Sequence, residues 1–205
     1  MRLTYEQRLW KKGYQGIVGI DEAGRGPYAG PVVAAALTVY PEYQRKVITA
    51  FRGLADSKKL SEQKREYFFQ LAIAHPGIVW GVGKSSEKEI DRINILEGTK
   101  RAMEKAVRSL KKRNSVDYLL LDGNFSIRSM LQQESVVRGD EKIFSCALAS
   151  VIAKVTRDRI MVKYHEEYPA YGFNTNKGYG TAFHRLVIKK HGLCPIHRRS
   201  FRIGT

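Results

Sequence analysis

A chain of 205 residues, 43% hydrophobic and 27% charged, has the size and composition of one globular domain with at most a small appendage, which excludes wholesale disorder, a coiled coil and collagen. Thirty-six Lys and Arg against 20 Asp and Glu leave a formal charge of +16. A surface that positive attracts polyanions, with nucleic acid the first partner to consider.

Residues 17–20, 32–39 and 78–82 are short, apolar, rich in β-branched side chains and bounded by Gly or Pro, and so read as strands. Between the second and third, Ser61 opens a helical pattern over 61–74 that ends before His75-Pro76-Gly77. From Ile90 onward, Ile93, Leu96, Met103, Ala106, Val107 and Leu110 recur near the helical period, and Lys111-Lys112-Arg113 suit the helix C-terminus. The wholly apolar run 118–121 predicts a buried central strand, and 135–138 a weaker fifth. The spacing predicts a long helix over 146–168 and a last one over 181–190, after a loop at 172–180. This order suits an α/β fold: a mixed five-stranded sheet flanked by helices, with a C-terminal helical appendage. The division falls between 1–168 and 169–205.

The appendage carries charge of one sign. After Glu167 there is no acidic residue, while Lys177, Arg185, Lys189, Lys190, Arg198, Arg199 and Arg202 follow. Tyr171, Phe173, Tyr179, Phe183 and Phe201 are interleaved with them, which favours an ordered docking surface over a loose arm.

No run reaches the ~18–20 uninterrupted apolar residues that span a bilayer, and the opening MRLTYEQRLW has no apolar stretch of signal-peptide length. We therefore expect a cytoplasmic protein without membrane contact, and a monomer, since no segment resembles an uncovered association face. Cys146 and Cys194 suggest no disulfide scaffold. His191, Cys194 and His197 are spaced like part of a zinc site but fall short of four ligands.

Asp21 and Glu22 follow the strand at 17–20 and precede Ala23-Gly24-Arg25-Gly26-Pro27. Side chains alternate faces along a strand, so both acids converge on one site only if the strand ends there. The two glycines permit a sharp turn and let backbone N–H groups approach a phosphate. Asp122 repeats the arrangement after Leu119-Leu120-Leu121, placing an acid at a strand's C-terminal end, where open sheets bind ligands. Clustered carboxylates raise one another's pKa unless a cation sits among them, and oxygen-only ligation points to Mg²⁺ or Mn²⁺. The plainer alternative makes Asp21 a turn cap, Glu22 a solvated side chain and Asp122 part of an Asp-Gly turn. Two hard cations ~3.5–4 Å apart in a basic surround meet the requirement for phosphodiester hydrolysis without a protein nucleophile. Ser145 and Ser150 lie in an apolar helix, no catalytic triad can be assembled, and Gly81-Val82-Gly83-Lys84-Ser85 lacks P-loop spacing.

Gly19-Ile20-Asp21-Glu22-Ala23-Gly24-Arg25-Gly26-Pro27 resembles the opening signature of the type 2 ribonucleases H, the ribonuclease HII family. Asp56-Ser57-Lys58-Lys59-Leu60, Ile93-Asn94-Ile95-Leu96, Asp122-Gly123-Asn124, Gly139-Asp140, Ala153-Lys154-Val155-Thr156-Arg157-Asp158, Lys177-Gly178-Tyr179-Gly180-Thr181 and His197-Arg198-Arg199-Ser200-Phe201 are similar to its bacterial form in the same order. The chain departs from the family's usual Ser-Ala-Ala-Ser run, with Ala147-Leu148-Ala149-Ser150 instead, a change that touches packing near the site.

The resemblance implies a ribonuclease H-like catalytic domain over 1–168, with a basic substrate-binding segment, 169–205, packed on it. It implies four metal-binding catalytic carboxylates, Asp21, Glu22, Asp122 and Asp140, holding Mn²⁺ or Mg²⁺. Composition alone does not separate Asp140 from Asp158, whose flanking Arg157 and Arg159 favour a salt-bridged structural role. The resemblance further implies that the backbone of Gly24, Arg25 and Gly26 contacts the ribose 2′-hydroxyl, which separates RNA from DNA. Tyr179 would stack on the next deoxyribose, while Lys58, Lys59 and the basic tail would hold phosphates of the duplex.

The implied activity is two-metal endonucleolytic hydrolysis of the RNA strand of RNA/DNA hybrids, with incision 5′ to ribonucleotides embedded in duplex DNA, leaving 5′-phosphate and 3′-hydroxyl ends. One rival is the sister type 3 enzyme, which carries an additional N-terminal domain where only residues 1–16 precede the first strand here. Another is a non-catalytic hybrid-binding protein.

Overall fold

A computed structural model describes residues 1–55 and 57–204; Asp56, the first residue of the motif ending at Leu60, lies outside the described residues. One sheet holds five strands, β1 (Ile17–Ala23), β2 (Val32–Val39), β3 (Ile78–Ser85), β4 (Tyr118–Asp122) and β5 (Gln132–Val136), in the order β3-β2-β1-β4-β5. β1, β2 and β3 form an antiparallel meander, and β4 and β5 extend the sheet parallel to β1. The helices are α1 (Thr4–Trp10), α2 (Gln44–Ala50), α3 (Glu62–Ala74), α4 (Glu87–Lys111), α5 (Gly139–Lys142), α6 (Phe144–Glu167), α7 (Phe173–Asn176) and α8 (Ala182–His191). This is the expected mixed five-stranded sheet with flanking helices and a helical C-terminal segment.

Both faces of the sheet are covered, which is why β2 is buried at every position and reads as an unbroken apolar run. Ala35, Leu37 and Val39 pack on Phe68 and Phe69 of α3 and Leu148, Val151 and Ile152 of α6. Val18, Ile20, Ala34, Ala36, Leu119 and Leu121 face Ala102, Met103, Ala106 and Leu110 of α4. Fully burying each of the larger side chains is worth about 1.5–3 kcal/mol, so the two layers fix the sheet between its helices.

The Gly81-Val82-Gly83 stretch is part of β3, and its glycines let α4 lie directly on the sheet. A Cβ at Gly83 would stand 2.2 Å from the Ala102 carbonyl oxygen, and one at Gly81 would stand 2.5 Å from the Leu110 nitrogen. α4 starts earlier than its apolar period indicates, with the Ser86 hydroxyl accepting from the Glu89 N–H. It breaks at Asn94 (φ 68°), whose side-chain oxygen accepts from Glu97 N–H and restarts the helix.

β5 begins and ends earlier than the 135–138 expectation. It is a polar edge strand, Gln132-Gln133-Glu134-Ser135-Val136, so Val136 and Val137 drew the reading late.

The C-terminal segment packs Tyr171, Phe173, Val187, Ile188, Cys194 and Ile196 around Ala29 and Met161. Asp91 of α4 pins it, accepting from the Arg199 and Ser200 N–H groups and the Ser200 hydroxyl. Inside, His184 and His197 meet Nε2 to Nε2 at 3.0 Å, and His197 Nδ1 lies 3.1 Å from Cys194 Sγ. Burial pulls both imidazoles down, His197 to about 4, so the pair is neutral at pH 7. His191, the third residue of the zinc-like spacing, is exposed at the end of α8. Among the described residues no helix is long and apolar enough to cross a membrane.

Candidate active site

Parallel pairing of β1 with β4 sets Ile20 beside Leu121, so the next residues, Asp21 and Asp122, emerge side by side at the carboxyl end of the sheet. Asp140 arrives from α5, which starts beyond a left-handed Arg138 (φ 58°). The Gly139 N–H donates to Asp122 Oδ1 at 2.7 Å, and a Cβ at Gly139 would lie 3.2 Å from the Asp122 Cα. Glycine there allows the close approach. Asp21, Asp122 and Asp140 each offer a carboxylate oxygen, and these all lie within 4.8 Å of one another.

Asp21 and Asp140 are buried, 4% and 5% exposed. Burial pushes the Asp21 carboxyl well above its ordinary range, and the charges of Glu22 and Asp122 push it further. A cation among the three carboxylates would offset both the burial and the mutual repulsion.

Glu22 corrects the strand-end expectation. β1 does not stop at Ile20; it runs on to Ala23, pairing Asp21 with Ala35 and Glu22 with Ala34. Asp21 shares the α6 face with Gly19, whose missing Cβ makes room for Ser145, and Glu22 leaves the strand on the other side of the backbone, its carboxyl still near enough to Asp21 and Asp122 to feel both. Glu22 stands outside the group of three. Its Oε1 lies 3.4 Å from Arg25 Nη1, while its Oε2 is buried with no partner in the described structure. Burial raises its pKa, opposed by Arg25 and reinforced by Asp122.

The chain turns at Gly24, whose φ of +99° suits glycine and whose Cβ would collide with Arg157 Nε at 2.1 Å. Arg25 and Gly26 are exposed. Tyr179 stands over the turn, its Cε1 4.0 Å from where a Gly26 Cβ would be, and it is 44% exposed.

Lys58 reaches toward the acids, with Nζ 3.8 Å from Asp140 Oδ2, and Lys59 pairs with Glu141 at 3.0 Å. Arg138 and Lys59 hold the Glu141 carboxyl down at about 2. Their loop is anchored by Arg65, which donates to the Ser57 and Leu60 carbonyls, and by a 2.6 Å contact between the Ser57 and Ser150 hydroxyls. Ser150 also hydrogen-bonds Asp21. Asp158 is taken up by Lys154 at 2.7 Å on α6, the structural role expected of it.

Arg198 departs from the expectation of a basic phosphate-binding tail: it is fully buried, as is Arg157. Sequence gives no signal for either role, since a buried guanidinium bonded to carbonyls leaves no spacing pattern.

Acids gathered at the ends of adjacent parallel strands, on this sheet order, with oxygen-only donors, define a metal-dependent nuclease of the ribonuclease H-like class. The family model for ribonuclease HII matches residues 18–203, and the chain belongs to that family. A ribonuclease HII of Acetivibrio thermocellus is 49% identical over 197 residues, covering 96% of this chain and 73% of that protein. The crystal structure of ribonuclease H2 from Pyrococcus horikoshii OT3 superposes with a TM-score of 0.71 at 27% identity, over 91% of this chain and 94% of the other. The crystal structure of Bst-RNase HIII in complex with Mn²⁺ shares the fold, with a TM-score of 0.66 at 19% identity over 87% of this chain and 63% of that one. The protein is therefore a divalent-metal-dependent ribonuclease H.

Proposed function

We propose that the protein is an endonuclease that hydrolyses the RNA strand of RNA/DNA hybrids and incises duplex DNA 5′ to embedded ribonucleotides, leaving 5′-phosphate and 3′-hydroxyl ends. The observation that carries this is the gathering of Asp21, Asp122 and Asp140 within 4.8 Å, next to a Gly-Arg-Gly turn. The donor set fits Mn²⁺ or Mg²⁺: it is carboxylate only, it raises the proton affinity of Asp21, and it leaves Glu22 Oε2 buried and unpartnered beside it. Asp21, Glu22, Asp122 and Asp140 would hold such cations, which when bound would supply Lewis-acid polarisation of the phosphodiester and charge stabilisation for the attacking and leaving oxygens.

The chain's own groups do the rest. Ser150 and the Gly139 N–H orient Asp21 and Asp122, so the carboxylates are fixed before substrate arrives. The Gly24–Gly26 backbone senses the 2′-hydroxyl, and Tyr179 stacks on the following deoxyribose. Lys58 and Lys59, with Arg185, Lys189, Lys190, Arg199 and Arg202 of the segment 169–205, hold phosphates and position the duplex. Identity of 49% to a ribonuclease HII against 19% to a type 3 structure favours the type 2 substrate choice. The protein acts as a monomer in the cytoplasm.

The test is a duplex carrying one ribonucleotide, incubated with Mn²⁺ or Mg²⁺ and mapped for its cut site. Wild type cuts on the 5′ side of the ribonucleotide, and Asp21→Asn loses about a thousandfold or more in rate, the several kcal/mol a metal ligand supplies in the transition state. Wild-type binding without turnover would leave the hybrid-binder alternative, and a fully active Asp21→Asn would refute the assignment of the site.

A further inference from the structure

Arg198 spends its donors on three backbone carbonyls: Nη2 on Gly24 at 2.6 Å, Nη1 on Arg25 at 2.9 Å and Nε on Gly30 at 2.9 Å. No cis peptide occurs among the described residues, and in a trans peptide the C=O and the following N–H point in opposite directions. Drawing the Gly24 and Arg25 carbonyls inward therefore turns the Arg25 and Gly26 N–H groups outward. Both residues are exposed, and neither N–H donates to any group among the described residues.

Behind Arg198, Arg157 secures the rest of the loop. It donates to Pro31, Ala29 and Lys177 carbonyls at 3.0, 3.0 and 2.9 Å, tying the exit of the turn to the segment that carries Tyr179. Its Cζ lies 5.9 Å from the Tyr179 ring centroid. Lysine is a point donor and cannot reproduce a planar fork across two successive carbonyls.

We propose that Arg198 is the positioning residue for ribose recognition: its fork on the Gly24 and Arg25 carbonyls presents two adjacent N–H donors to the 2′-hydroxyl and neighbouring phosphate of a ribonucleotide. This rests on the function proposed above and names the device that sets its selectivity. Arg198 touches no substrate and acts through the turn.

The test compares two duplexes that differ by a single 2′-hydroxyl, bound in EDTA and followed by fluorescence anisotropy. Wild type prefers the ribonucleotide duplex. Arg198→Lys, with its fold checked by thermal melting, loses about five- to tenfold of that preference, roughly one oriented hydrogen bond. A second measurement needs no variant: in the unaltered protein, the NMR amide signals of Arg25 and Gly26 shift with the ribonucleotide duplex and stay in place with the all-DNA one. A folded Arg198→Lys with its preference intact, or amides indifferent to the 2′-hydroxyl in an enzyme that still cuts at ribonucleotides, overturns the proposal alone. A wild type that neither prefers nor cuts the ribonucleotide duplex overturns the functional assignment and this proposal with it.

Discussion

Tyr179 is held in place by its neighbours while its ring stays open to solvent, which suits an aromatic that meets a ligand face. Stacking on an aromatic is worth about 1–3 kcal/mol per base, and a sugar face belongs at the low end, about 1 kcal/mol. Tyr179→Ala should therefore slow cutting at a ribonucleotide followed by DNA about fivefold more than cutting within a continuous hybrid, as cleavage mapping on the two substrates will reveal; equal losses would make Tyr179 a general binding residue. Of the three acids the structure gathers, Asp21 and Asp122 were legible because each follows an apolar run at the carboxyl side of a strand. Asp140 was not, since its position depends on the left-handed Arg138 and on Gly139 lying against Asp122, and Asp158 looks equivalent until Lys154 is seen to occupy it. Arg157 and Arg198 were hidden for a related reason: in sequence a cation reads as surface, and only packing reveals one surrounded by carbonyls.

Among the elements, α1 gave little signal, yet it governs how α6 begins. The N-cap of α6 is Ile143, which offers no side-chain acceptor, so Glu6 of α1 supplies one, its Oε1 accepting from the Ser145 N–H at 2.8 Å and the Ser145 hydroxyl at 2.7 Å. Glu6 is 1% exposed and its Oε2 has no partner among the described residues, and burial raises its carboxyl pKa despite the Ser145 bonds. A folded-state pKa above the unfolded one gives stability that is complete below the unfolded value and is lost as pH rises through the folded value. Glu6→Gln removes that titration, so the variant should gain on wild type as pH rises above the ordinary carboxylate range. Urea denaturation within and above that range checks it, and parallel curves would mean Glu6 does not titrate there. The apolar strands were readable from their covered faces. The end of β1 was not, because an acid in a strand looks like a strand terminus until its pairing with Ala34 and Ala35 is known.

For the whole molecule, the charge of +16 is an instrument for holding a polyanion, and most of the cations after Glu167 lie at the surface, Arg198 excepted. Each phosphate contact adds roughly 0.9 to the slope of log affinity against log salt. Lys189→Ala with Lys190→Ala should lower that slope by about 1.8 and weaken hybrid and all-DNA duplex alike. A slope left unchanged in a salt titration would take α8 out of the duplex interface. Charge and fold class were both visible in composition and pattern, whereas the partition of cations into surface and clamp required the tertiary structure. The parallel seam between β1 and β4 has one more outcome. Parallel neighbours need a long crossover, and here β2, β3 and α4 intervene before the second strand can dock. The three carboxylates therefore cannot meet until the chain has been made through α5 and the seam between β1 and β4 has closed.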